Sequence, residues 1–470
     1  MKKYTLSDFQ DDFSEEENYF DDEDELSFIH SLTRAFDGDE EYVRLMGQIY
    51  SSRGYGVKVD CAKAAFWYRR GAESGDLISV VRLADLYCEY EKDGFPKDLE
   101  KAFKLYEFAA KEGDIHSSAR AGIMYAHGLG CKADMAIARK YLASAAAEND
   151  REACYEYARI LRGEGADGWE EYLKRSAYMS YGKASLEVVK LFGDELDDVK
   201  YILYLTHAAN DYSFGYDPAE AQITLAQSYL NGTRTKKNLK AAESYYKLAA
   251  ERGRGEELID FARRFVDGDG VQRNFAEAVR ILGWFENYSG SCEEELRGRA
   301  AELTGDCYLT GGYGLESDLS KAVGCYTAAE ECGIKTACKK LGDMYYFGTG
   351  VKQSYLRAAE LYEKAAFYYE IWCDGGYDGE GYDLTANVAL GDMYMRGIGV
   401  EKDLSRAFGF YYDAGYGKFY APAMSKMAEC YYNGDGVAKD GEKAEYWWNE
   451  AAQKGDESAK KALKKYFGVD

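Results

Sequence analysis

Proline is almost missing from this chain, three residues in 470, and histidine is nearly as rare at four. So few prolines leave little room for extended linkers. The histidines His30, His116, His127 and His207 form no HExxH pair, and packing or solvent accounts for them better than a metal or catalytic role. Positive charge is also short. Lysine and arginine number 59 against 83 aspartates and glutamates, a formal charge of −24. A surface that acidic repels phosphate backbones and anionic lipid heads, so the expected partners are proteins or peptides of basic character, with no nucleic acid and no membrane. No apolar run approaches the length of a membrane span. The opening MKKYTLSDFQDDFSEEE lacks the apolar stretch of a secretory signal. The eleven cysteines are odd in number, and only Cys332 and Cys338 sit close enough in sequence for a hairpin junction to bridge. Free, mostly buried thiols in a reducing compartment are the expectation, which places the chain in the cytoplasm.

Glycine and tyrosine are plentiful instead, at 49 and 44 residues, and they recur in a pattern. Its clearest copy is LGDMYYFGTGVKQSYLRAAELYEKAA, Leu341 to Ala366. Leu341, Met344 and Tyr345 share one helical face, and Gly342 beside them admits a neighbouring helix. Gly348 and Gly350 can take the positive φ that ends a helix and reverses the chain. Ala358, Ala359, Tyr362, Ala365 and Ala366 then stripe a returning helix. Aligned on the small residue of the first helix, copies fall at Gly47, Ala84, Gly122, Ala158, Ala226, Ala262, Gly305, Gly342, Gly391 and Ala428, with a period near 37. Six G-x-G turns recur, at Gly54, Gly128, Gly268, Gly348, Gly397 and Gly434. Helix-start residues follow, as at Asp98, Asn238, Asp318 and Asp403, and Asn274 with Glu277 has capping-box spacing.

This register predicts an all-α fold of about eleven helix-turn-helix units stacked side by side, because one hairpin cannot cover its own apolar face. Residues 1–25 are expected to be an acidic mobile segment and 26–40 a capping helix. Three repeats fill 41–150, and two degenerate ones without the glycine turn fill 151–217. Repeats six to eleven fill 218–455, with insertions at 287–295 and 367–383, and 456–470 is a C-terminal capping helix.

The quoted residues resemble the Sel-one-like repeat (SLR) family, relatives of the tetratricopeptide repeat, over about residues 40–460. Ala337 to Ala366 and Ala386 to Gly417 match its pattern closely, and Gly47 to Gly75 matches through YGVKVDCAKAAFWYRRGAESG. The resemblance implies a right-handed superhelical α-solenoid that assembles or regulates other proteins, with first helices lining its concave face. It implies no chemistry and no cofactor.

Nothing in the residues argues for an enzyme. The G-x-G pairs lack the third glycine of a dinucleotide loop and the Gly-Lys-Ser/Thr phosphate grip. Asp374, Asp378, Glu380 and Asp383, set among glycines, could wrap a hard cation, but a solvated loop is the simpler reading. The residue after the register position gives a candidate partner site. Asp306, Asp343, Asp392 and Glu429 are all acidic, and three residues on lie Leu309, Tyr346, Met395 and Tyr432. A carboxylate row beside an apolar row suits a basic, partly apolar helix or peptide. The alternative is a binder of glycan or cell-wall fragments that stacks sugars on tyrosines.

Overall fold

The computed structural model describes residues 22–52, 57–88, 95–213, 215–288, 294–366 and 383–468. The expectations for residues 1–21, for most of 367–383 and for the turn at Gly54 fall outside them. Among the described residues every regular element is helical, apart from isolated bridge residues at Val57 and Phe95 and a bridge between Gly312 and Leu315. The fold is an all-α solenoid of helical hairpins, in two compact units, Met1–Ala221 and Gln222–Asp470.

The first unit opens with α1 (Asp22–Phe36), which buries Phe28 and Leu32 against α2 (Glu40–Ser51). Then follow α3 (Cys61–Glu73), α4 (Leu77–Cys88), α5 (Leu99–Lys111), α6 (Ile115–His127) and α7 (Met135–Ala147). Residues 151–209 form two further hairpins, α8 (Arg151–Gly163) with α9 (Trp169–Tyr178) and α10 (Gly182–Phe192) with α11 (Asp198–Ala209). The boundary between the units falls inside α12 (Ala219–Asn231). After it come α13 (Leu239–Ala250), α14 (Glu256–Asp267), α15 (Phe275–Leu282), the short α16 (Trp284–Asn287), α17 (Glu294–Thr310) and α18 (Leu319–Glu331). The chain continues with α19 (Lys335–Phe347), α20 (Tyr355–Ala365), α21 (Leu384–Arg396), α22 (Leu404–Tyr412) with a π-turn at Asp413–Gly417, α23 (Ala421–Asn433), α24 (Gly441–Gln453) and α25 (Glu457–Phe467). Each unit's core is a series of clusters, each shared by neighbouring hairpins, as a stack of nearest-neighbour contacts requires.

The turns show why the sequence folds this way. At five G-x-G turns both glycines hold positive φ, from Gly128 and Gly130 to Gly434 and Gly436. The first glycine caps its helix: the N–H of Gly348 and that of Thr349 both donate to the Met344 carbonyl. The second glycine does something else. A Cβ at Gly436 would lie 2.0 Å from the Leu404 carbonyl oxygen, and one at Gly130 would lie 2.0 Å from that of Leu99. The turns at Gly130, Gly350, Gly399 and Gly436 therefore sit on the backbone that begins the preceding hairpin's second helix, at Leu99, Leu319, Tyr355 and Leu404, whereas a Cβ at Gly270 would meet only the Arg264 side chain, at 3.9 Å. Only a missing side chain permits that approach.

The second helix then starts on an acid, an amide or a serine. Asp98, Asp134, Asn238, Asp318, Asp403 and Asp440 accept from the backbone N–H three residues on, at 3.0, 3.0, 3.1, 3.0, 2.9 and 3.0 Å. The capping box expected at Asn274 forms only by half. Asn274 accepts from the Glu277 N–H, whereas Glu277 pairs with Arg280. The reason is general to the hairpin. The cap residue's own N–H is already spent on the first helix, from Asp60 to the Tyr50 carbonyl, Asn274 to Phe265, Asp318 to Tyr308 and Asp403 to Tyr394.

Candidate functional site

The predicted carboxylate row lies on successive first helices of the second unit, and its geometry begins with the register glycine. A Cβ at Gly305, Gly342 or Gly391 would meet the ring of Tyr326, Tyr362 or Tyr411 at 2.7, 2.6 or 2.2 Å. At these three positions the second-helix tyrosine lies against the bare glycine, and its hydroxyl reaches the next residue; in the first unit the register residue is Ala84. Tyr326 donates to Asp306, Tyr362 to Asp343 and Tyr411 to Asp392, each at 2.7 Å. The first unit repeats the pair once, from Tyr106 to Asp85 at 2.6 Å. Burial pushes all four phenols above their usual value of 10, and the facing carboxylates push in the same direction.

Each of the three second-unit aspartates also holds a lysine. Lys340 of α19 reaches back to Asp306 of α17 at 2.7 and 2.8 Å and to Glu302 at 2.8 Å. Burial alone would lower its pKa, but Asp306 and Glu302 more than offset that and raise it. Lys426 of α23 reaches back to Asp392 of α21 at 2.9 Å. The matching position before Gly391 is Ala389, and Asp343 instead takes Lys339 from its own helix at 2.7 Å. Asp306, Asp343 and Asp392 are thus half-buried, with 37, 37 and 33% of the side chain exposed. Glu429 differs. The second-helix residue in the tyrosine's place is Trp448, which has no hydroxyl to give, and Glu429 is exposed.

The apolar row is less uniform. Leu309 is exposed, Tyr346 and Met395 are half-buried, and Tyr346 packs edge-on against Phe347 and Tyr355. Tyr432 belongs to an aromatic cluster with Trp448 and Tyr466. The sequence did not signal the phenol that each aspartate serves, because the partners lie about 20 residues apart on different helices.

Of the cation candidates, Asp374, Asp378 and Glu380 lie outside the described residues. Asp383 caps α21, accepting from the backbone N–H of Thr385 at 2.8 Å. Among the described residues no cluster of His, Cys, Asp and Glu is arranged to hold a metal, and no helix is long and apolar enough to cross a membrane. Cys332 and Cys338 are free thiols, as are Cys61, Cys88, Cys131, Cys154, Cys307, Cys325 and Cys430. The histidines have ordinary surroundings. His116 lies 3.9 Å from Asp85 and His127 3.8 Å from Glu156, while His30 packs on Tyr42 and His207 contacts the Ala177 carbonyl.

The Sel1 repeat pattern matches eight segments, 44–76, 79–114, 115–150, 219–253, 298–334, 336–366, 385–415 and 421–456, which together make up more than half of the chain. The chain belongs to the Sel1 repeat family. Proteins built of Sel1 repeats are in general protein-interaction scaffolds, and the SLR fold is typically non-enzymatic. The matched repeats carry the Gly–Asp and tyrosine positions described above; residues 151–218, where the glycine turn is lost, are not matched.

Two relatives and one solved structure illustrate the likeness. The chain is 27% identical over 316 residues to an uncharacterized protein of Neisseria meningitidis serogroup B, covering 66% of this chain and 62% of that protein. It is 32% identical over 131 residues to human cytochrome c oxidase assembly factor 7, covering 27% of this chain and 52% of that protein. It thus spans less than two thirds of either relative. The crystal structure of c5321, a protective antigen of uropathogenic Escherichia coli with an SLR fold, covers 92% of this chain and 89% of its own, at 21% identity and a TM-score of 0.48.

Proposed function

We propose that this chain is a non-enzymatic adaptor that holds a partner protein or peptide along the first helices of its second unit. The contact residues in this reading are Asp306, Leu309, Asp343, Tyr346, Asp392, Met395, Glu429 and Tyr432. The observation that carries it is the pairing of partly exposed carboxylates, fixed in place by tyrosine and lysine, with an apolar residue one turn further along each helix. Pre-positioned acceptors cost a ligand little ordering. The partner in this reading is basic and partly apolar, because the chain carries −24 and its three aspartates stay about a third exposed. The free thiols fit a reducing compartment such as the cytoplasm.

The test must leave the tyrosine bonds in place. Asp343→Asn and Asp392→Asn keep an acceptor for the phenol while removing charge, and Glu429→Gln touches no such bond. The triple variant is compared with the parent by affinity capture at two salt concentrations, followed by mass spectrometry. A protein bound by the parent, lost with salt and lost in the variant supports the reading. Identical captured sets refute it.

A second reading, glycan binding, has one observation in its favour. Tyr412 and Tyr416 stack with centroids 4.9 Å apart, Tyr416 is 40% exposed, and Trp447 stands edge-on 6.0 Å beyond. Such a strip can stack on sugar rings. Saturable fluorescence change on titration with cell-wall oligosaccharides would favour it; a flat titration would remove it.

A further inference from the structure

The last helix reverses the character of the molecule. In a chain of net charge −24, α25 reads ESAKKALKKYF, and Lys460, Lys461, Lys464 and Lys465 are all exposed. Beside it, between α23, α24 and α25, lies a cavity of about 320 Å³. Its walls are Tyr432, Trp448 and Tyr466, with Tyr432 and Tyr466 centroids 4.4 Å apart and Trp448 stacked on Tyr466 at 5.6 Å. Lys426, Lys461 and Lys465 line it with a single carboxylate, Glu429. An aromatic-walled recess rimmed by lysines suits an aromatic side chain flanked by acids.

The chain carries such a segment. Asp8 to Phe20, DFQDDFSEEENYF, sets Phe9 beside Asp8, Phe13 beside Asp12 and Tyr19 and Phe20 next to Asp21, with Glu15, Glu16 and Glu17 between. The segment precedes α1, which is anchored by Phe28 and Leu32. An extended stretch from Asp8 to Asp22 spans up to about 50 Å, enough to reach into another molecule.

We propose that the lysine-ringed aromatic cavity at α25 binds the acidic, aromatic segment Asp8–Phe20 of a second copy of this chain, giving a heterologous contact between copies. One aromatic ring enters the cavity, and the acids on either side pair with Lys461 and Lys465. The two chains repel overall, but at physiological salt that repulsion is screened beyond about 8 Å, so the contact is decided by the local charges. Because Glu429 and Tyr432 border the cavity, the contact would cover part of the surface assigned to a partner. It needs no partner, however, and stands or falls separately from that assignment.

Sedimentation equilibrium on the purified full chain tests it. The parent should associate with rising concentration, and the association should weaken by about tenfold or more between about 0.1 and 0.5 M salt. Lys461→Glu with Lys465→Glu, and separately Asp11→Lys with Asp12→Lys, should each remain monomeric with unchanged circular dichroism. An equimolar mixture of the two should form a 1:1 complex, since each supplies the half that the other lacks. A parent that is monomeric at all concentrations, association that either variant leaves intact, or a mixture that stays monomeric overturns the proposal.

Discussion

The Tyr411 ring packs directly on the bare backbone of Gly391 and donates to Asp392. Gly391→Ala puts a Cβ 2.2 Å from that ring and should cost about 1–3 kcal/mol, read by urea unfolding. Gly409 is a control in the neighbouring helix, with nothing within 4 Å of an added Cβ. There alanine should be neutral or stabilise by up to about 1 kcal/mol. The tyrosines also make an alkaline prediction. Tyr106, Tyr326, Tyr362 and Tyr411 have pKa values raised above 10 in the fold. Past the ordinary tyrosine value the unfolded chain releases these protons while the folded chain keeps them. The free energy of unfolding should therefore be insensitive to these groups below about pH 10 and fall above it, by about 1.4 kcal/mol per pH unit for each phenol. Tyr411→Phe should make the decline shallower by one such increment; an unchanged slope would show that the phenol is not held as described.

At the scale of the hairpin, the second turn glycine at Gly130, Gly350, Gly399 and Gly436 brings one hairpin against the next. Gly436→Ala meets the Leu404 carbonyl at 2.0 Å and also bears the strain of a positive φ, whereas Gly455, at φ +91, meets nothing within 4 Å. Gly455→Ala should cost about 1 kcal/mol from the backbone alone. Gly436→Ala should cost clearly more, and equal losses would deny the close approach. Much of this was legible in the sequence. The turns, the caps at Asp98, Asn238, Asp318 and Asp403, and the small residues at the register position all follow from local rules that need no knowledge of neighbours. What was illegible is what crosses between helices. Asp306, Asp343 and Asp392 read as an outward row, because nothing near them in sequence announces that Tyr326, Tyr362 and Tyr411 will reach them, nor that Lys340 and Lys426 will reach back to Asp306 and Asp392. The capping box at Asn274 failed on similar grounds, since its N–H was committed to the Phe265 carbonyl. Arg234 makes the point in reverse: it takes positive φ, at 59°, in a turn where the pattern elsewhere places glycine.

For the molecule as a whole, the repeats convert a periodic sequence into a row of positioned side chains, and the function we propose is that this row holds a partner. The same aspartates serve the fold and the surface, so charge reversal there would confuse binding with stability. Substitutions that keep the phenol's acceptor separate the two. The most direct measurement of the central claim is therefore capture of partners by the parent chain and by the variant carrying Asp343→Asn, Asp392→Asn and Glu429→Gln, with thermal unfolding recorded for both. The account predicts a salt-sensitive protein partner bound by the parent and lost by the variant, at nearly equal melting temperature. Retention of every captured protein by an equally stable variant would contradict it.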